Sequence, residues 1–163
     1  MTLTIEQIKR TGKEIALYKP LGAEQCRFHS STAYFKWLFG WNQSSKTYTN
    51  MMDLAMLLQD IHPVHYCPEG VHWACIESWE QVRDVLWEDY LKKFLPPHSI
   101  ANVDYGQNKV PRRVFFKNGH RLEFRLSIRE GNCFRPEQLI RFIVTSNATT
   151  ISWVSLKRCR QGS

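Results

Sequence analysis

The sequence predicts a single α/β domain, and three observations carry that expectation. A short apolar run, Phe35-Lys36-Trp37-Leu38-Phe39, leads through a polar loop into a helix-forming stretch from Tyr48 to Leu58. The same order follows in Val71 to Glu77 and Trp79 to Phe94. A hairpin signal, Asn118-Gly119 between two β-rich runs, comes next. Strand, helix, strand, helix, hairpin is the pattern of an α/β layer fold. At 163 residues the chain is long enough to bury a real core.

Taken in order, Thr4 can cap a helix from Ile5 to about Tyr18, with Ile5, Ile8, Ile15 and Leu17 apolar. Lys19-Pro20-Leu21-Gly22 ends it, and Ala23 to Ser31 reads as a polar link containing Gln25, Phe28 and His29. The apolar run 35–39 is a strand, and Tyr48 to Leu58 a helix closed by Asp60-Ile61-His62-Pro63. Val71 to Glu77 is the next strand. The helix from Trp79 to Phe94 carries a core stripe of Trp79, Val82, Leu86, Tyr90, Leu91 and Phe94. Leu95-Pro96-Pro97 stops it, and a polar loop runs through Gly106 to Pro111. Residues 113–117 and 120–124 then flank Asn118-Gly119, a two-residue turn favouring positive φ at both positions.

Between the first strand and its helix lies Gly40-Trp41-Asn42-Gln43-Ser44-Ser45-Lys46-Thr47. Strand, loop, Lys-Thr, helix is the layout of a phosphate-binding P-loop. Such a site needs inward backbone N–H groups, a Lys for the β- and γ-phosphates, a hydroxyl for Mg²⁺ and a helix N-terminus behind them. Lys46 and Thr47 stand where the Lys and the hydroxyl belong, and Gly40 opens the loop. Ser45 stands where a second glycine is usual, and its Cβ strains the loop or crowds the phosphates. A surface Ser-Ser-Lys-Thr turn is the alternative reading of the same residues.

The net charge is +7, but its distribution is uneven. Residues 131–163 hold five basic residues and one acid, whereas the first 130 hold seventeen and fourteen. The basicity therefore argues for an anionic partner only if the tail belongs to the fold. With 43% apolar and 13% aromatic residues the composition is not that of a disordered chain. No apolar run is long enough to span a membrane. The first residues lack the order of a signal peptide, which leads to an expected cytoplasmic setting. Cys26, Cys67, Cys75, Cys133 and Cys159 are an odd set without tight spacing, as expected of thiols in a reducing compartment.

His62, His65, Cys67, His72 and Cys75 include zinc-binding atoms, but not at the spacing of a finger or knuckle. A helix cap at His62 and core packing at Cys75 are the simpler readings. No nucleophile elbow is present. Asp84, Glu88 and Asp89 read as the solvated face of their helix. Arg112 and Arg113 can touch a phosphate backbone or simply face solvent.

Residues from about Gln25 to Gly131 together resemble the N-terminal ATPase domain of phage terminase large subunits, the motors that thread DNA into capsids. The resemblance rests on Gln25-Cys26-Arg27-Phe28-His29-Ser30-Ser31, Gly40 to Thr47, Asp60-Ile61-His62-Pro63, Trp73, Glu80 to Tyr90 and Phe94-Leu95-Pro96-Pro97. It continues in Val114-Phe115-Phe116-Lys117-Asn118-Gly119 and Leu122-Glu123-Phe124-Arg125. It implies a partial P-loop NTPase core with ATP, Mg²⁺, double-stranded DNA and other motor subunits as partners, in a bacterial host carrying a phage or prophage. By that resemblance Gln25 contacts adenine, and Gly40, Asn42, Gln43, Ser44, Ser45, Lys46 and Thr47 hold the nucleotide, with Thr47 on the metal.

Three loop positions depart from the family, which tends to read Gly-Gly-Asn-Arg-Ser-Gly-Lys-Thr. Trp41, Gln43 and Ser45 replace familiar residues, and neutral Gln43 cannot stabilise transition-state charge as an Arg does. After the hairpin the family has a Phe-Gln segment and then an apolar strand ending in Asp-Glu. Here the only acid after Gly131 is Glu137. No catalytic residue is therefore assigned.

The expectation is a partial ATPase domain over 1–131, inactive alone, and an aberrant basic tail over 132–163. A one-base slip in the reading frame near Gly131 accounts for the tail. The rival is a stand-alone nucleic-acid- or protein-binding protein that reuses a degenerate P-loop core.

Overall fold

The computed structural model describes residues 22–33, 35–39, 45–65, 70–126, 139–145 and 149–154. For 139–145, 149–154, Phe35, Trp37 and Phe39 the description is of the backbone alone. The helix expected from Ile5 lies outside the described residues, as do Gly40 to Ser44.

The fold is mixed α/β. Helix α1 (Ala23–Ser30) precedes strand β1 (Phe35–Phe39), and helix α2 (Lys46–Leu58) precedes strand β2 (Val71–Ile76). A helical rod, α3, covers 79–94 and leads to β3 (Ile100–Tyr105), β4 (Pro111–Phe116) and β5 (Arg121–Leu126). Strands β6 (Leu139–Thr145) and β7 (Thr149–Val154) follow, both within the stretch set apart above as a basic tail. The boundary at 131 falls among residues outside the description.

Among the described residues the strands form one sheet in the order β1-β7-β6-β2-β5-β4-β3. β2 is parallel to both β5 and β6, while the β5–β4, β4–β3, β6–β7 and β7–β1 pairs are antiparallel. β1 therefore runs in the same direction as β2, and α2 is the crossover between them.

The core is built around α2. Every residue from Thr49 to Leu58 is buried, so this helix is enclosed on all sides instead of presenting one apolar stripe. Met51, Met52, Leu54 and Leu58 pack with Ala74 and Ile76 of β2, Leu122 and Phe124 of β5, and Val114 and Phe116 of β4. The rod α3 adds Val82, Leu86, Trp87, Leu91 and Phe94. Its middle, Val82–Leu91, is wound as a π-helix, and the Lys92 N–H reaches back five residues to the Trp87 carbonyl. That wider winding brings Trp87 into the core and leaves Trp79 and Tyr90 half-buried, against the stripe expected for ordinary α winding. Tyr48 packs edge-on against Phe94 and Tyr90, with ring centroids 5.3 and 6.2 Å apart, and so ties α2 to α3.

The polar end of α2 is closed by backbone geometry. Asp60 takes a left-handed φ of 57°, the Ile61 N–H bonds to the Met56 carbonyl and the Asp60 N–H to the Leu57 carbonyl. These two bonds make a Schellman cap, with the apolar pair Ile61 and Met56 meeting in the core as such caps favour.

Three expectations need correction. Ala23–Ser30 is a helix, not a polar link. Ile100–Tyr105 is an edge strand within what read as loop; most of its residues are exposed, so it shows little apolar alternation. The hairpin turn has three residues. The Gly119 N–H bonds to the Phe116 carbonyl, the Phe116 N–H to the His120 carbonyl, and Gly119 alone has positive φ, at 89°. That is a type I turn completed by a glycine bulge, not a two-residue turn.

Burial pushes the Tyr90 phenol above its ordinary value near 10, and the charge of Asp89 and the neighbouring Tyr48 add to this. The folded state therefore holds the neutral phenol more firmly than the unfolded chain does. Its contribution is complete below about pH 10 and is lost as pH rises through the folded value. Chemical unfolding of Tyr90→Phe should accordingly fall less steeply above pH 10 than that of the wild type. Parallel curves would place the alkaline transition on other groups.

Candidate functional site

The functional candidates gather where α1 lies along the first turns of α2. Lys46 and Thr47 open α2, a thirteen-residue helix with no acid in its first turn. Its N-terminus is the positive end of the helix dipole, the end that favours an anion. Lys46 is 9% exposed and Thr47 half-buried. Gly40, Asn42, Gln43 and Ser44 lie outside the described residues. Ser45 precedes Lys46 with φ 58° and ψ 17°, the left-handed region that glycine enters without cost. The strain anticipated for a serine at this position is therefore present in the backbone. The Ser45 carbonyl accepts both the N–H and the Oγ1–H of Thr49, each at 2.9 Å.

Gln25 on α1 is 7% exposed and its Nε2 donates to Ser45 Oγ at 2.9 Å. One helical turn further along α1, His29 Nδ1 is 2.7 Å from Asp53 Oδ1 on α2. Residues four apart share a helix face, so Gln25 and His29 dock α1 along α2 at two points. This explains how Ala23–Ser30 folds as a helix with only Phe28 as a buried apolar residue. Its packing is carried by polar contacts, which leave no hydrophobic period to read.

Asp53 is fully buried and collects three basic groups on one oxygen. His29 Nδ1 lies at 2.7 Å, His62 Nε2 at 3.0 Å and Lys36 Nζ at 3.8 Å from Oδ1. The His62 tautomer follows from its neighbours. Its Nδ1 accepts the N–H groups of Val64 and His65 at 3.2 and 3.0 Å, so the ring hydrogen sits on Nε2 and points at Asp53. Lys36 also donates to the Phe28 carbonyl at 2.8 Å and lies over the Phe28 ring. One carboxylate thus joins α1, β1, α2 and the chain that follows α2. Between Lys46 and Asp53 on the same stripe sits Asn50, whose buried amide nitrogen and oxygen have no hydrogen-bond partner among the described residues. Nothing in the sequence singled out Asn50 or Asp53; both lie inside a run otherwise read as apolar helix.

A second polar chain closes the far end of α2. His72 Nε2 lies 3.0 Å from His120 Nδ1, and His120 Nε2 lies 2.9 Å from Asp60 Oδ1. Asn118 Nδ2 donates to both Asp60 Oδ2 and the Leu58 carbonyl. These contacts staple the β4–β5 turn to the Schellman cap. They also divide the candidate metal ligands: His62 serves Asp53, His72 serves His120, and Cys75 is buried in β2. Among the described residues no group of three or more His, Cys, Asp or Glu side chains is arranged to hold a metal ion, and Cys67 lies outside them.

The remaining candidates resolve simply. Arg112 stacks on Trp79 at 3.3 Å, whereas Arg113 is exposed between Asp104 and Glu123. Asp84, Glu88 and Asp89 pair with Arg83, Lys92 and Lys93 on the solvent side of α3. Neither Cys26 nor Cys75 is in a disulfide.

Replacing Asp53 by Ala should destabilise the protein by about 3–5 kcal/mol, the cost of breaking a buried charged network on one side. Chemical unfolding measures this, and a loss of less than about 1 kcal/mol would show that the network is not a structural tie. Comparison of the chain with family models, with curated proteins and with solved structures returned no match.

Proposed function

We propose that this chain is a segment of a terminase-like DNA-packaging ATPase from a tailed phage or prophage, acting in the bacterial cytoplasm. Its site retains the phosphate-facing half of a nucleotide site and lacks the hydrolytic half. The observation that carries the reading is the start of α2: Lys46 and Thr47 open the helix that comes after β1 in the chain, with Gln25 docked on Ser45. A helix N-terminus bearing a Lys and a hydroxyl suits the donors that Mg·ATP requires. In this reading Lys46 meets the β- and γ-phosphates and Thr47 holds the Mg²⁺, with Gln25 beside them on Ser45. Bound Mg²⁺ would supply charge neutralisation at the phosphates. No helix among the described residues is long and apolar enough to cross a membrane.

For the hydrolytic half the sequence beyond Gly131 offers a single acid, Glu137. In this reading an apolar strand beside β2 should end in an Asp-Glu pair that completes the Mg²⁺ shell and orients water. β6 lies beside β2 and is parallel to it, but its sequence runs into Thr145-Ser146-Asn147. Mg·ATP should therefore bind weakly, with a dissociation constant above about a micromolar, roughly −8 kcal/mol. Lys46→Ala should abolish that binding, and phosphate release should match the background. Release that disappears in Lys46→Ala would end the claim of inactivity.

The second reading, a stand-alone binding protein, is favoured by one observation: β6 and β7 are paired into the sheet between β2 and β1. The gene separates the two. Gly131-Asn132-Cys133-Phe134-Arg135 is compatible with GGA AAC TGT TTC AGG, and one added A gives GGA AAA CTG TTT CAG, or Gly-Lys-Leu-Phe-Gln. Codons compatible with the residues that follow can then encode an apolar strand ending in Asp-Glu. Sequencing of the gene should reveal that frame. An early stop there, or no Asp-Glu pair, would move the binding protein to first place.

A further inference from the structure

We infer that Gln25 is a positioning residue for the N-terminus of α2, acting through the backbone of Ser45; this rests on the nucleotide-site reading above. Three observations converge on it. Ser45 stands in the left-handed region at φ 58° and ψ 17°, which a side chain with a Cβ disfavours. Its Oγ is the acceptor of the Gln25 amide at 2.9 Å in a part-buried hydrogen bond whose donor residue is only 7% exposed. The donor is itself braced, because His29, one turn along α1, is fixed on buried Asp53. Gln25 and His29 therefore hold α1 as a strut against α2, with its tip on the residue that directs the chain into Lys46 and Thr47.

The chemistry of the strut differs from base recognition. A glycine before Lys46 would adopt this backbone unaided, so the serine is the reason an external tie is needed. The amide that a base-reading glutamine would turn towards the ligand is directed here at the loop. Its effect then reaches whatever the helix N-terminus binds, through the orientation of the first N–H groups and the Lys46 side chain, and does not depend on the base.

The test uses the full chain and its Gln25→Ala, Ser45→Gly and doubly substituted forms. Calorimetric titrations with Mg·ATP, Mg·GTP and Mg·tripolyphosphate are run beside urea unfolding without ligand. The strut predicts that Gln25→Ala weakens all three ligands by a similar factor, about three- to tenfold, as loss of one part-buried hydrogen bond allows. In the Ser45→Gly background the same substitution should change neither affinity nor the urea midpoint. A loss confined to ATP would overturn the inference in favour of base reading. A loss undiminished in the Ser45→Gly background would overturn it as well. If the wild type binds none of the three ligands, the nucleotide-site reading fails. The urea midpoints then decide the strut alone: dependence of the Gln25→Ala effect on Ser45 sustains it, and independence ends it.

Discussion

A buried carboxylate on an otherwise apolar helix is the constraint around which this structure is arranged. Asp53 lies within the enclosed run Thr49 to Leu58, where an ionised group is tolerated only if its charge is met at close range. Lys36 supplies the opposing charge from β1, and His29 and His62 supply hydrogen bonds from α1 and from the chain beyond α2. Meeting that requirement forces four separated segments into one place. Desolvation makes the arrangement costly to form and more costly to half-form, so it specifies the docking of α1 more sharply than apolar contact would.

Both ends of α2 then follow a common pattern. Each is flanked by a non-glycine residue in the left-handed region, Ser45 before the helix and Asp60 after it. Each of these residues has its side chain tied to another element. Ser45 is held by Gln25, and Asp60 by Asn118 and His120. The backbone strain at these positions is of the order of 1–2 kcal/mol apiece, and the side-chain hydrogen bonds offset it at the same place. The two ends differ in their surroundings. The far end is closed by a Schellman cap and the hairpin turn, whereas the near end carries the positive end of the helix dipole beside Lys46.

The chemistry available at that end is limited by its neighbours. Lys46, Thr47 and the helix dipole can hold phosphate oxygens. Beyond Gly131 the only acid in the sequence is Glu137. Phosphate affinity and water activation depend on different residues, so the two can be probed separately at this site.

The order of β1, α2, β2, α3 and the β4–β5 hairpin was legible in the sequence because apolar side chains announce burial by their period. The Lys46-Thr47 pair at a helix start was legible for a related reason: the loop and the helix composition flank it directly. What escaped was everything held by polar contact. Helix α1 has no apolar period, since Gln25 and His29 dock it. β3 is an exposed edge strand whose composition resembles a loop. The partners of His62, His72 and His120 lie nine to sixty positions away along the chain. Spacing alone grouped His62 and His72 as candidate ligands of one ion. Only the tertiary structure separated them, because hydrogen bonds choose partners by position in space and leave no periodic trace along the chain.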